Sequence, residues 1–361
     1  MTRRVHAVAL AVGALLGLAT PGLGQGPGAG QSPAILYTLF ERYLDALRQQ
    51  TGIPGLSAVI VRNGQVDWER GFGVQDIEQN LPATPDTPYP VGGLTQTMAA
   101  VLLGACAEEG RLGIDDPMAG WVDDFAAPEA TVRHVLAHAS AGAPAFRFQY
   151  DPSRYAALTT VGARCADRPF RVNLVQSIFD RLGMVSSVPG EDLARPDHPD
   201  RQLFDDVHLA RYDAVVARQA APYRVDRAGR ATRTERPLPG FSAADGVVTT
   251  ARDLVRFEAA LDQAVLLRPQ SLRVAWSPVV VGDTVLPTGL GWFIQPWQGE
   301  RLIWQFSLTA DAYSSLILKM PDRQLTLILL ANSDGLSTGA NLEQGDVTNS
   351  PFVRVFLRLF G

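Results

Sequence analysis

At 361 residues the chain is long enough for one large domain or two ordinary ones, with a substantial buried core. Hydrophobic residues make up 46%, charged residues 19% and the formal net charge is -5, a globular composition without the basic excess that neutralising phosphates requires. Nucleic acid is therefore excluded as an expected partner.

In chain order, residues 1–24 place Arg3 and Arg4 ahead of an apolar run from Val5 to Ala19, followed by small residues up to Gly24. This is the pattern of a cleaved secretory signal, with a retained membrane anchor as the alternative, and it predicts an exported protein, periplasmic or extracellular. The run is shorter than the ~20 residues a spanning helix needs, so no stable membrane span is expected after cleavage. Residues 25–33 follow as a flexible leader without apolar periodicity.

Ile35, Leu36, Leu39, Phe40, Leu44 and Leu47 recur at a period near 3.6 and predict an amphipathic helix ending before Thr51 and Gly52. "LSAVIVR" and "QVDWERGFG", joined by Asn63-Gly64, predict a hairpin that opens an antiparallel sheet. From Leu94 to about Leu261 the text is mostly helical, broken by Pro and Gly. The polar, Pro-rich span from Val185 to Asp213 reads as a long surface connection. Strands return at "GLGWFIQPW", "RLIWQFS", "AYSSLILKM" and "QLTLILLANS", and "FVRVFLRLF" reads as a closing helix. The expected fold class is α+β, an antiparallel sheet flanked by helices plus a helical lobe. Residues 34–361 form a single domain on this reading, with a sheet lobe over 53–90 and 245–361 and a helical lobe over 91–244. There is no internal repeat.

Two cysteines, Cys106 and Cys165, stand in apolar helical text. They read as buried free thiols, with a disulfide permitted in an exported protein. His134 and His138 are four apart, on one predicted helical face, but no acidic third ligand is near, so their expected role is structural and no metal or other cofactor is expected.

The ordered stretches "IPGLSAVIVRNGQVDWERGFGVQD", "ATPDTPYPVGG", "GRLGIDDPM", "TVRHVLAHASAG", "ADGVVTTARDLVRF", "GLGWFIQ" and "LILLANSDG" resemble the serine beta-lactamase-like hydrolases, the group of class C beta-lactamases, DD-peptidases and related esterases. They run from Ile53 to Gly335, nearly the whole mature chain. The resemblance implies the same α+β fold and a nucleophilic serine at the start of a helix, with a lysine one turn on in SxxK. That pattern falls on Gly93 and Gln96, which supply neither a nucleophile nor a base. The only lysine in the sequence is Lys319, and Leu316 stands three residues before it, so no SxxK exists anywhere in the chain. Arginine, always protonated, is a poor substitute base.

The second motif implied by the resemblance, YxN, keeps Tyr150 but has Pro152 in place of the amide. The third, K/H-x-G on an inner strand, has Phe306 for the basic residue and Leu308 for the glycine, side chains whose bulk crowds the groove. The loop before Tyr150 is shorter than in relatives, which implies a missing pocket wall. No catalytic set is intact on this reading. The backbone N–H groups that would hold an oxyanion do not depend on side-chain identity, and Gly93 still carries one. The pocket candidates are Gly93, Gln96, Tyr150, Pro152, Phe306, Leu308 and Tyr313. Tyr150 is equally read as a leftover structural residue, Phe306 reads as core, and Trp292 and Trp304 are expected to brace the sheet against helices.

A replacement nucleophile would have to come from Thr95, Thr97, Ser140 or Ser242. Ser140 near His138 is the least implausible, although i and i+2 on a helix do not face each other. Two functions are thus expected. One is a pseudoenzyme on a serine hydrolase scaffold that binds an extracytoplasmic ligand or protein partner. The other is an active hydrolase or esterase on an ester, amide or peptidoglycan-like substrate.

Overall fold

Residues 33–140, 146–237 and 240–361 are described by the computed structural model. The expected signal and nearly all of the leader lie outside the described residues. Helix α1, Pro33–Gln50, sends Phe40 and Leu44 into the core and ends before Gly52, whose φ of 70° suits a residue without a Cβ. Strands β1, Gly55–Arg62, and β2, Gln65–Asp76, follow as a hairpin. Its two turn residues, Asn63 and Gly64, take φ of 53° and 73°, the left-handed pair that matches the twist of the strands.

The sheet has seven antiparallel strands. β3 is the short Leu81–Pro82, and the four remaining strands come from far along the chain: β4, Phe293–Trp297; β5, Glu300–Thr309; β6, Tyr313–Met320; and β7, Leu325–Ala331. The spatial order is β4-β5-β6-β7-β1-β2-β3, so the first hairpin completes a sheet built by the last third of the chain.

Both faces of this sheet are covered, which explains the nearly unbroken apolar runs of β6 and β7. Leu302, Leu316, Leu327 and Leu329 meet α1 and the closing helix α6, Pro351–Phe360. Val59, Ile303, Ile317 and Ile328 meet the helical part, including α2, Thr95–Glu108, and α5, Ala251–Asp262. The two expected bracing tryptophans divide between these cores. Trp292 belongs to the helical side, whereas Trp304 lies on the other and stacks on Phe293 with ring centres 4.2 Å apart.

Lys319 of β6 is buried and bridges to α5 through Glu258 at 2.5 Å and Asp262 at 2.8 Å. The pairing answers a physical demand, since a buried ammonium without partners is strongly unfavourable.

Three expectations are corrected. Cys106 of α2 and Cys165 of α4, Leu158–Ala166, form a disulfide, which packing of α2 against α4 brings into reach, so they are not free thiols. The span 185–213 is a surface connection only in part: residues 187–193 are buried, whereas 194–211 are exposed or half-buried. Asp192 is drawn inward by buried Arg171 at 2.9 Å, and the helix Asp206–Ala217 begins at Asp205, whose side chain accepts from the His208 N–H. His134 and His138 do not share a helical face, because α3, Val132–Leu136, ends between them and His138 takes a left-handed φ of 51°.

Candidate functional site

The turn Gly92–Leu94 and α2 bring Gly93 and Gln96 to the end of β5, beyond Trp304, where β5 extends past its pairing with β4. Gly92 has a φ of 46°, and a Cβ there would overlap the hydroxyl of Ser307. At Gly93 a Cβ would overlap the carbonyl oxygen of Phe306 and come within 3.0 Å of the Tyr150 hydroxyl. The absence of a side chain at 93 is therefore part of how closely β5 packs on the helix start.

Gln96 is fully buried, and every polar atom of its side chain has a partner. The backbone N–H of Asp151 donates to His138 Nδ1 at 3.1 Å, so the imidazole proton is on Nε2. From there it faces Gln96 Oε1 at 2.9 Å, and the Gln96 amide in turn donates to the Tyr150 hydroxyl at 3.2 Å. Gln305 Nε2 reaches the same Oε1 at 3.4 Å. Tyr155 fixes the main chain of Gln96 from below through a 3.0 Å bond to its carbonyl.

The network is neutral throughout. Burial, with a further push from Arg154, holds the His138 imidazole down to about 3. Burial likewise raises the Tyr150 phenol well above its usual range, with Gln96 opposing and the Asp245 and Glu343 carboxylates adding to the rise. Such an arrangement offers hydrogen bonds but no ionised base at neutral pH.

Beside this network lies a cleft of about 230 Å³, lined by Gly93, Gln96, Tyr150, Pro152, Phe306 and Leu308 among others. Ligand pockets usually run from ~300 to 1,000 Å³, so this one is narrow. Phe306 is largely why, as its ring packs 5.3 Å from Tyr150 and 5.8 Å from Phe293. Leu308 remains 46% exposed at the mouth. Tyr313 is corrected as a pocket candidate: it does not line the cleft. Its buried ring belongs to the helical-side core, and its hydroxyl donates to the Ala220 carbonyl at 2.8 Å.

The hydroxyls weighed as substitute nucleophiles are otherwise engaged. Thr97 donates to the Leu94 carbonyl at 2.8 Å, and Thr95 accepts from the Val247 N–H at 3.3 Å. Ser140 lies in a short strand, not on a helix, and accepts from Arg154 at 2.6 Å, while both ring nitrogens of His138 point to other partners. Ser242 sits in a turn, where its hydroxyl accepts from the Ala244 N–H at 3.2 Å. No group of metal-ligating side chains occurs among the described residues.

Sequence reasoning missed four residues of the site. His138 and Gln305 complete the Gln96 network, and Asp245 and Glu343 line the cleft. Periodicity carried no signal for them, since Gln305 lies on a strand, Glu343 in a single 3-10 turn and His138 and Asp245 outside regular elements, all far from Gln96 in the chain.

Comparison with known proteins places these residues in context. The profile of the family described as Beta-lactamase matches residues 40–345. Penicillin-binding protein 4* of Bacillus subtilis (strain 168) is 22% identical over 340 residues, covering 83% of this chain and 71% of the relative. The fold is similar to that of the octameric penicillin-binding protein homologue from Pyrococcus abyssi, with TM-score 0.72, 19% identity, and coverage of 89% of this chain and 77% of that one. It is also similar to a class C beta lactamase from Rhodobacter sphaeroides, with TM-score 0.65, 16% identity, and coverage of 89% and 99% respectively.

Proposed function

This chain belongs to the Beta-lactamase family, and on that premise we propose that it is an exported pseudoenzyme, acting by binding a ligand or a protein partner in the cleft beside Gly93 and not by turning over a substrate. The observation that carries the reading is the pairing of a side-chain-free Gly93 with a Gln96 locked between His138 and Tyr150. Covalent catalysis needs a nucleophile within hydrogen-bond reach of a base that can take its proton. Here the position of the nucleophile carries only hydrogen, and the neighbouring groups are an amide, a neutral imidazole donating its one proton, and an un-ionised phenol. Export rests on the amino-terminal sequence pattern, and the Cys106–Cys165 disulfide is compatible with an oxidising compartment.

The test is intact-mass spectrometry of the purified protein after incubation with a fluorescent penicillin and with a fluorophosphonate. The expected result is an unchanged mass. A stoichiometric adduct mapped to one Ser or Thr overturns the reading and favours a hydrolase of ester, amide or peptidoglycan-like substrates.

A further inference from the structure

The electrostatics of the same cleft point to the class of ligand, an inference that rests on reading the cleft as a binding site. Two positions where the family resemblance implies cations carry none: residue 96 is an amide and residue 306 a phenyl ring. Among the described residues no Lys, Arg or His lines the cleft, whereas Asp245 and Glu343 both do. The carboxylate of Asp245 accepts one hydrogen bond, 2.5 Å from the N–H of Gly246 next to it, and among the described residues no basic side chain pairs with it or with Glu343. Desolvation holds the Asp245 carboxyl above its usual range, the mark of a charge lacking a counter-ion. The same cleft is lined by the rings of Tyr150 and Phe306 and by the aliphatic Leu308.

We propose that the cleft takes a small organic cation, a protonated amine bearing an apolar group, with the ammonium against Asp245 and Glu343 and the apolar group between Tyr150, Phe306 and Leu308. An ammonium supplies the missing counter-charge in a partly dehydrated site, where Coulomb attraction is stronger than in water. Aromatic faces add favourable cation–π contact. A volume of about 230 Å³ corresponds to roughly seven or eight water volumes, which limits the occupant to a ring-sized substituent. An anionic ligand would meet two like charges with no cation to offset them.

The experiment is a calorimetric titration of the full chain at neutral pH with benzylamine, benzyl alcohol and benzoate, which share a ring and differ in charge. Benzylamine is expected to bind with a dissociation constant on the order of a millimolar, at least tenfold more tightly than either isostere. Asp245→Asn, which keeps an acceptor for the Gly246 N–H, is expected to weaken the amine at least tenfold. Glu343→Gln, at an exposed residue, weakens it by roughly two- to fivefold because solvent screens that charge, and it keeps the test intact if the Asp245 variant does not fold. Leu308→Trp, which fills the mouth, abolishes binding.

Failure to bind benzylamine, or binding unchanged in both acid variants, overturns the assignment. If benzyl alcohol or benzoate binds as tightly as the amine and loses affinity in Leu308→Trp, the cation class is wrong while the cleft remains a binding site. A covalent adduct with the penicillin or fluorophosphonate instead marks failure of the underlying reading.

Discussion

His138 donates its Nε2 proton to the side-chain carbonyl of Gln96 across 2.9 Å, although the two residues lie 42 positions apart. The bond has a direction, because the Asp151 N–H occupies Nδ1 and leaves the ring one proton to give. It also fixes what residue 96 can be. An acceptor satisfies the imidazole there, and an ammonium does not.

The same bond makes stability depend on pH. The folded imidazole is held near about 3, whereas the unfolded chain protonates near 6.5, so its contribution is complete above 6.5 and is lost as pH falls towards 3. Below 6.5 this group alone lowers the unfolding free energy by up to about 1.4 kcal/mol per pH unit. His138→Asn, which tolerates the left-handed backbone, should be less stable than the natural protein at pH 7.5, with the gap closing by about 3 kcal/mol on going to pH 4. Urea titrations at the two pH values measure the gap, and a constant difference would refute a buried neutral imidazole.

Restoring the family pattern should not restore chemistry. In Gly93→Ser the new Cβ overlaps the Phe306 carbonyl, and in Gln96→Lys an ammonium faces the His138 donor. The double variant is expected to lose at least ~2 kcal/mol of stability through overpacking and an unpaired buried charge, and to form no penicillin adduct. A double variant as stable as the parent and rapidly acylated would mean that β5 moves aside easily.

The Cys106–Cys165 bridge closes a separation of 59 residues and ties α2 to α4. In the chain-entropy account a loop of that size is worth about 4 kcal/mol, and replacing both cysteines with alanine should cost roughly 2–4 kcal/mol. Denaturant unfolding under oxidising conditions reads this directly. A loss below ~1 kcal/mol would place the source of stability elsewhere.

Lys319 and Glu258 form an ion pair that is almost wholly excluded from water. Lys319→Met alone should destabilise by about 3–5 kcal/mol, since it strands a buried carboxylate. Adding Glu258→Met should recover most of that loss, because the charge that needed the lysine is gone while Asp262 can still reach solvent. Equal losses in the single and double variants would contradict this account.

What the sequence by itself determined is mostly local or compositional. The hairpin at Asn63-Gly64 follows from the left-handed backbone that this dipeptide favours, and α1 from an apolar period of 3.6. A single lysine, with Leu316 three residues before it, excludes SxxK whatever the fold. The tertiary structure alone decided that Cys106 meets Cys165, that Tyr313 turns away to Ala220, and that His138 leaves its helix to reach Gln96. It also decided that the Phe306 carbonyl presses on Gly93, and that Asp245 and Glu343 line the same cleft. Periodicity reports which face of an element is buried. It carries no record of which distant element covers that face, and every one of these contacts is made across the chain.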